Sequence, residues 1–154
     1  MKKYWLVKSE GDCYSIDDLQ RDGTTAWTGV RNYQARNFMR DGMKPGDAVL
    51  FYHSTGAPTG IYGWAEVISA PHPDETQFKA DDEHFDPSVS PEAPRWYCVD
   101  IRFKKKFAKP LALASIKEDV ELGDMLVCRR GNRLSVMPVA EKHFLKIITI
   151  AAEH

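Results

Sequence analysis

Residues 71–94 constrain the fold most, because they force two strand-like runs apart. On one side, residues 60–69 alternate Ile61, Gly63, Ala65 and Val67, the period-2 pattern of a half-buried sheet wall. On the other, residues 95–106 resume a strand pattern. Between them stand five of the nine prolines (Pro71, Pro73, Pro87, Pro91, Pro94) and seven acids (Asp74, Glu75, Asp81, Asp82, Glu83, Asp86, Glu92), with Lys79 as the single base. Proline removes a backbone donor and fixes φ, so such a stretch is neither helix interior nor central strand. It is expected to be a long ordered loop inside one domain, not a linker, because the strand pattern resumes after it.

Around that loop the remaining elements are short. Residues 4–8 form a first strand, rich in β-favouring side chains. Ser15 caps a short helix that ends at Gly23, with Asp18 in the capping-box position. Residues 32–39 make a second helix, closed by Gly42 and then Pro45-Gly46, and Lys44-Pro45-Gly46-Asp47 turns into a strand over 48–53. Helical stretches over 112–117 and 120–127, a strand over 134–137 and a closing helix over 141–150 complete the pattern. This predicts a single α+β domain spanning 1–154: a strongly bent, barrel-like sheet with short helices packed at its openings.

Composition narrows the function classes. The chain of 154 residues is 43% hydrophobic and 28% charged, as an ordinary soluble domain is. No apolar run approaches the length of a membrane span, and the immediate first strand leaves no room for a signal peptide. Cys13, Cys98 and Cys128 are odd in number and lack CxxC spacing. They are expected to be free thiols in a reducing cytoplasm, with no disulfide framework and no zinc site. The net charge of −1 is unevenly placed: setting aside residues 71–94 leaves 20 bases against 15 acids, a net of +5. A basic body with an acidic loop can present a positive face to nucleic acid.

Two polar–aromatic clusters point the same way. The stretch Trp27-Thr28-Gly29-Val30-Arg31-Asn32-Tyr33-Gln34-Ala35-Arg36-Asn37 sets aromatic rings, amides and guanidinium groups beside a glycine turn, and Phe51-Tyr52-His53-Ser54 follows one element later. Such groups hold a nucleobase next to a phosphate backbone. The competing account makes Trp27 and Tyr33 core residues and the arginines a solvated helix face. Signatures of catalysis are missing. There is no Gly-x-Ser-x-Gly elbow, no zinc-deaminase motif, no glycine-rich phosphate loop, and no ligand spacing among His72, His84 and His143.

These clusters and their surroundings resemble the EVE-domain family. The likeness runs through Tyr4-Trp5-Leu6-Val7-Lys8-Ser9-Glu10, Tyr14-Ser15-Ile16-Asp17-Asp18-Leu19, the Trp27 stretch, Gly46-Asp47, Phe51-Tyr52-His53-Ser54 and Gly60-Ile61-Tyr62-Gly63. It continues through Pro73-Asp74, residues 96–100, Arg133-Leu134-Ser135-Val136 and Pro138-Val139, nearly the whole chain in family order. Gly11 stands where the family has proline after Lys-Ser-Glu, and Thr28 where many relatives carry an acid. The resemblance implies a PUA-like fold, related to the YTH readers, and a non-catalytic module that recognises a modified base in DNA or RNA. It implies a monomer without cofactor or metal. The alternatives are a small-molecule nucleoside- or nucleotide-processing enzyme and a protein-interaction module using the acidic loop.

On that basis Trp27, which lines up with a cage tryptophan of the similar YTH domain, is the stacking wall, with Tyr52 or Trp64 opposite. Ser9, Thr28, Asn32 and Ser54 supply edge contacts, although Asn32 is equally suited to a helix N-cap. Glu10 can accept from an exocyclic amine, or pair with Lys8 or an arginine. Tyr33 and His53 complete the base pocket. Lys8, Arg31, Arg36, Arg129, Arg130 and Arg133 are the candidates for phosphate contact. Trp5, inside the first strand, is assigned to the core.

Overall fold

Alternation along the first strand decides which face of the sheet each side chain serves. The computed structural model describes residues 2–152. In β1 (Tyr4–Ser9), Trp5 and Val7 enter one core cluster while Leu6 enters another on the opposite face. The neighbouring β3 (Ala48–His53) is buried throughout and divides its residues in the same way, Val49 and Phe51 to one side, Leu50 and Tyr52 to the other. A strand buried on both faces lies at the centre of a two-layered unit.

The other strands are β2 (Thr24–Ala26), β4 (Gly60–Val67), β5 (His72–Pro73), β6 (Tyr97–Cys98), β7 (Asp100–Ala112) and β8 (Val136–Val139). Six of them form one sheet in the order β2-β7-β4-β3-β1-β8, with β1 and β3 parallel and the other pairs antiparallel. β5 and β6 pair separately. The sheet curls strongly, but β2 and β8 remain its two ends. The fold is α+β and PUA-like, the strongly bent, barrel-like sheet expected from the strand pattern taking the form of a curled half-barrel. Curling is helped by bulges. Between Phe51 and Tyr52 the β3–β4 register skips Tyr62, so Ile61 joins one core cluster and Ala65 the other despite their matching parity. Gly63 sits at this irregularity, where a Cβ would fall 2.2 Å from the Lys105 carbonyl oxygen.

Helices cover both faces. α1 (Ile16–Asp22) starts with the predicted capping box between Ser15 and Asp18 and ends at Gly23, whose φ is +80°. α2 (Tyr33–Asn37) is capped by Asn32 and runs into a π-helical turn, Phe38–Gly42, so the expected helix over 32–39 changes pitch midway. These elements bury Ile16, Leu19, Ala35 and Met39 against Val7 and Phe51. On the opposite face α3 (Leu113–Glu118) and α4 (Glu141–Ala152) bury Ile116, Phe144 and Ile147 against Leu6, Leu50 and Tyr52.

Trp5 is core, and its Nε1–H donates to buried Asp47, which also accepts from the Lys3 and Lys44 amides. Residues 120–127, expected to be helical, form turns with a short 3-10 segment, Leu126–Cys128. The Asp119 carbonyl accepts from both Leu122 and Gly123, and its side chain from Glu121, closing the chain into tight turns. The strand expected over 95–106 breaks at Val99, whose carbonyl accepts from the Trp27 amide, and β7 then runs to Ala112. The strand expected over 134–137 begins two residues later, at Val136. β2 carries too short a pattern to be read from sequence.

Candidate nucleic-acid interface

The acidic segment is held in place by its own polar groups. Asp74 has no exposed surface, and it accepts from the Gly29 amide at 2.8 Å, from Arg31 at 3.1 Å and from the Thr76 amide and hydroxyl. Burial alone would push its carboxyl up, but the donors from Thr76, Gly29 and Arg31 outweigh it and hold the pKa below the usual range. Arg31 spends all five of its N–H donors in this knot: on the carbonyls of Val30 and His84, on Asp74, and on the Thr76 hydroxyl. Gln77 meanwhile bridges the backbone of Asp74, Arg95 and Trp96. The expected ordered loop is thus stitched to the Trp27 stretch at one end and to the strand entry at the other.

That stitching builds a cleft. A cavity of about 460 Å³ opens between the end of β1, the turn after it, the end of β2 and the tip of the acidic segment. Lys8, Ser9, Glu10, Trp27 and Thr28 line it, together with Tyr14, Thr25, His84, Glu83 and Ser135. Trp27 is 8% exposed and held edge-on to Phe51 at 5.4 Å and to Tyr14 at 6.4 Å. Gly29 adopts φ +86°, and a Cβ there would fall 2.8 Å from the His84 ring, so only glycine admits this wall. Ser9 Oγ donates to the Tyr14 carbonyl, and the Lys8 amide to the Ser135 carbonyl, tying three segments at the cleft floor.

Several predicted residues lie elsewhere. Asn32 accepts from the Ala35 amide as the α2 cap and does not line the cleft. Tyr52 and Trp64 belong to the opposite face, where Trp64 packs edge-on to Phe144 at 5.5 Å. Alternation along β3 and the bulge in β4 put them there. Lys8 lines the cleft, yet its ammonium sits 5.6 Å over the Tyr52 ring, and burial pushes its pKa down. His53 lies behind the turn, stacked on Tyr62 at 3.8 Å, its Nε2 accepting from the Ile16 amide. Burial lowers its pKa, outweighing Asp17 and Asp18. Ser54 is exposed and bonds back to Ser9.

Among the basic candidates, Arg31 has no donor left for a phosphate. Arg36 bonds the Arg95 carbonyl and Asn37, while Arg129, Arg130 and Arg133 are exposed. Tyr33 is 54% exposed and stacks on Trp96, outside the cleft. Ser135, Tyr14 and His84 were not singled out from sequence. Ser135 and Tyr14 lay in the family-like blocks, but nothing local distinguished His84.

Two other clusters bear on chemistry. Glu10, Asp12 and Cys13 bring possible ligand atoms within 4.8 Å. The Cys13 thiol donates to Glu10, which raises its pKa and opposes the thiolate a metal requires. Cys98 lies 3.6 Å from His72, whose Nε2 meets Asp100 at 2.9 Å. Burial pushes that thiol up to about 12, so it is an inert thiol at neutral pH.

Human thymocyte nuclear protein 1 is 35% identical over 97% of this chain and 74% of its own length. A solved protein from Leishmania major superimposes with a TM-score of 0.93 at 42% identity, covering 99% of this chain and 96% of that one. The human THYN1 protein, solved in complex with 5-methylcytosine-containing DNA, gives a TM-score of 0.91 at 34% identity, with 99% of each chain covered. The EVE domain model matches residues 3–150, and the chain belongs to the EVE-domain family.

Proposed function

We propose that this protein binds nucleic acid and holds a modified base in the cleft against Trp27, without performing chemistry on it. The observation that carries the proposal is the cleft itself. A tryptophan braced by edge-on contacts with Phe51 and Tyr14 forms one wall, and Ser9, Glu10, Thr28 and His84 stand around it. A pre-braced ring adds little ordering cost when a base arrives. Glu10 is exposed and suits an exocyclic amine. The solved complex of human THYN1 with 5-methylcytosine DNA, so similar along the full chain, makes DNA carrying that base the first ligand to test, with RNA as the comparison.

Arg133 lies two residues before Ser135 in the chain, while the Lys8 ammonium turns toward Tyr52. Few phosphates are engaged, so affinity should fall with salt on a shallow slope. The nucleoside-processing alternative finds no support in Cys98, whose thiol is buried and raised in pKa. A monomer in the cytoplasm is part of the proposal, in keeping with three free thiols.

The test is a titration of an oligonucleotide bearing one 5-methylcytosine, and of 5-methyl-2′-deoxycytidine, against wild type and Trp27→Ala. Loss of stacking should weaken binding by about 1–3 kcal/mol. A Trp27→Ala protein that melts cooperatively and binds as tightly as wild type would remove Trp27 from the site.

A further inference from the structure

Outside the cleft stands a second aromatic surface. Tyr33 opens α2 with its ring stacked on Trp96, centroids 5.1 Å apart and planes 21° from parallel. Trp96 is buried and fixed, its Nε1–H donating to Asp86 at 2.8 Å. Asp86 also accepts from Ser88 and pairs with Arg95; the Ser88 and Trp96 bonds, assisted by Arg95, draw its carboxyl down to about 2.

Arg36 stands 5.0 Å from the Tyr33 centroid and 5.9 Å from that of Trp96. With the two rings 5.1 Å apart, these distances place the guanidinium beside the stack, not over the outer face of Tyr33. Tyr33 is itself 54% exposed. The bonds of Arg36 go to neutral oxygens, the Arg95 carbonyl and Asn37 Oδ1, and among the described residues no carboxylate forms a salt bridge with it, Asp41 acting on it only at longer range. Arg31 and Arg95 are instead neutralised by Asp74 and Asp86.

A rigid aromatic face beside a guanidinium that forms no salt bridge among the described residues suits one nucleotide: base on ring, phosphate on cation. Arg31 links this surface to the cleft. Arg31, which fixes the His84 wall, lies 5.3 Å from the Trp96 ring, and Tyr33 follows it by two residues. We infer that Tyr33 is a stacking platform for a nucleotide flanking the one held in the cleft, with Arg36 on its phosphate. This rests on the base-in-cleft reading, and it goes further by assigning a second subsite.

The experiment compares wild type, Tyr33→Ala, Tyr33→Phe, Arg36→Gln and Trp27→Ala, each checked by its melting transition. The probes are 5-methyl-2′-deoxycytidine, a single-stranded oligonucleotide with one central 5-methylcytosine, and its unmodified counterpart. Tyr33→Ala should lose about tenfold for both oligonucleotides and leave nucleoside binding within twofold, because stacking is indifferent to base identity. Tyr33→Phe keeps the ring and should bind as wild type, while Arg36→Gln should flatten the salt dependence.

Unchanged oligonucleotide affinity in Tyr33→Ala overturns the inference. So does an equal loss for the free nucleoside, which would mean that Tyr33 acts through the cleft, and so does a wild type that binds no oligonucleotide. Should Trp27→Ala bind normally while Tyr33→Ala does not, the cleft reading fails and the platform stands alone.

Discussion

The two faces of the sheet share the same strands, yet they are covered in different ways. Leu6, Leu50 and Tyr52 look into a core covered mainly by regular helices, with Phe144 and Ile147 of α4 packed upon it and the turns over 119–128 at its side. Val7 and Phe51, one residue along on the same strands, look toward Trp27 and a covering made partly of irregular chain. Helices offer a continuous apolar stripe to the sheet. Segments held by buried polar knots, such as Asp74 with Arg31, can stand apart and enclose a cleft. The difference assigns stability to the closed face and, in the function proposed above, recognition to the open one.

Breaking the closed face should have the largest effect. Phe144→Ala deletes a buried ring that contacts Tyr4 and Trp64, and it should cost about 3–5 kcal/mol in denaturant unfolding. Binding per folded molecule should be unaltered; a large loss of affinity at full foldedness would erase the division between the faces.

Next in size is the knot beneath the open face. Arg31→Met strips a fully buried carboxylate of its cation, at about 3 kcal/mol. It also releases the His84 carbonyl, so hydrogen exchange should quicken over residues 74–86 and base binding should weaken. An exchange pattern like that of wild type would show that the acidic segment does not depend on this clamp.

A smaller effect is expected from acid. The folded pKa of His53 is depressed by burial, so its contribution to stability is complete above the unfolded value of about 6.5. It is lost as pH falls from there through the folded value, because the unfolded chain takes up a proton that the folded one resists. Melting temperature should decline over that window in wild type and decline less in His53→Gln, whose amide can still accept from the Ile16 amide. Parallel profiles would assign the decline to other groups.

The smallest change concerns the turn joining the two faces. Gly11→Pro, which restores the family residue, would shed the bond from the Gly11 amide to Thr55 and bring a Cβ to 3.0 Å from His53 Nδ1. Losing the bond costs about 1 kcal/mol, against an entropic gain of about 0.4–1 kcal/mol. The melting temperature should therefore hold or fall slightly; a clear rise would show that the amide bond contributes nothing.

Much of the framework was legible because local physics specifies it. The capping box at Ser15, the Asn32 cap, the turn at Pro45-Gly46 and the alternation of β1 and β3 each depend on residues within a few positions of one another. Within the site, Ser9, Glu10, Trp27, Thr28 and Lys8 were named from sequence and do meet at one cleft. Tyr52 and Trp64 were grouped with them because aromatic character carries no label for the face it will occupy. Only the register of β3 and the skipped Tyr62 in β4 send both to the opposite side. Arg31 looked like a phosphate ligand because its guanidinium is the same group whether it meets a phosphate or Asp74.

The sequence by itself determined the family, the α+β class, the helix caps and a basic body carrying an acidic loop, since each rests on composition, order or short-range bonding. The tertiary structure alone decided that this acidic loop would become a wall of the cleft. Asp74 meets Gly29 and Arg31 across more than forty residues of chain, and His84 comes to rest on a glycine that nothing in its own neighbourhood specifies. Long-range polar pairing depends on which buried donors remain unsatisfied once the sheet has formed, and that is a property of the whole fold.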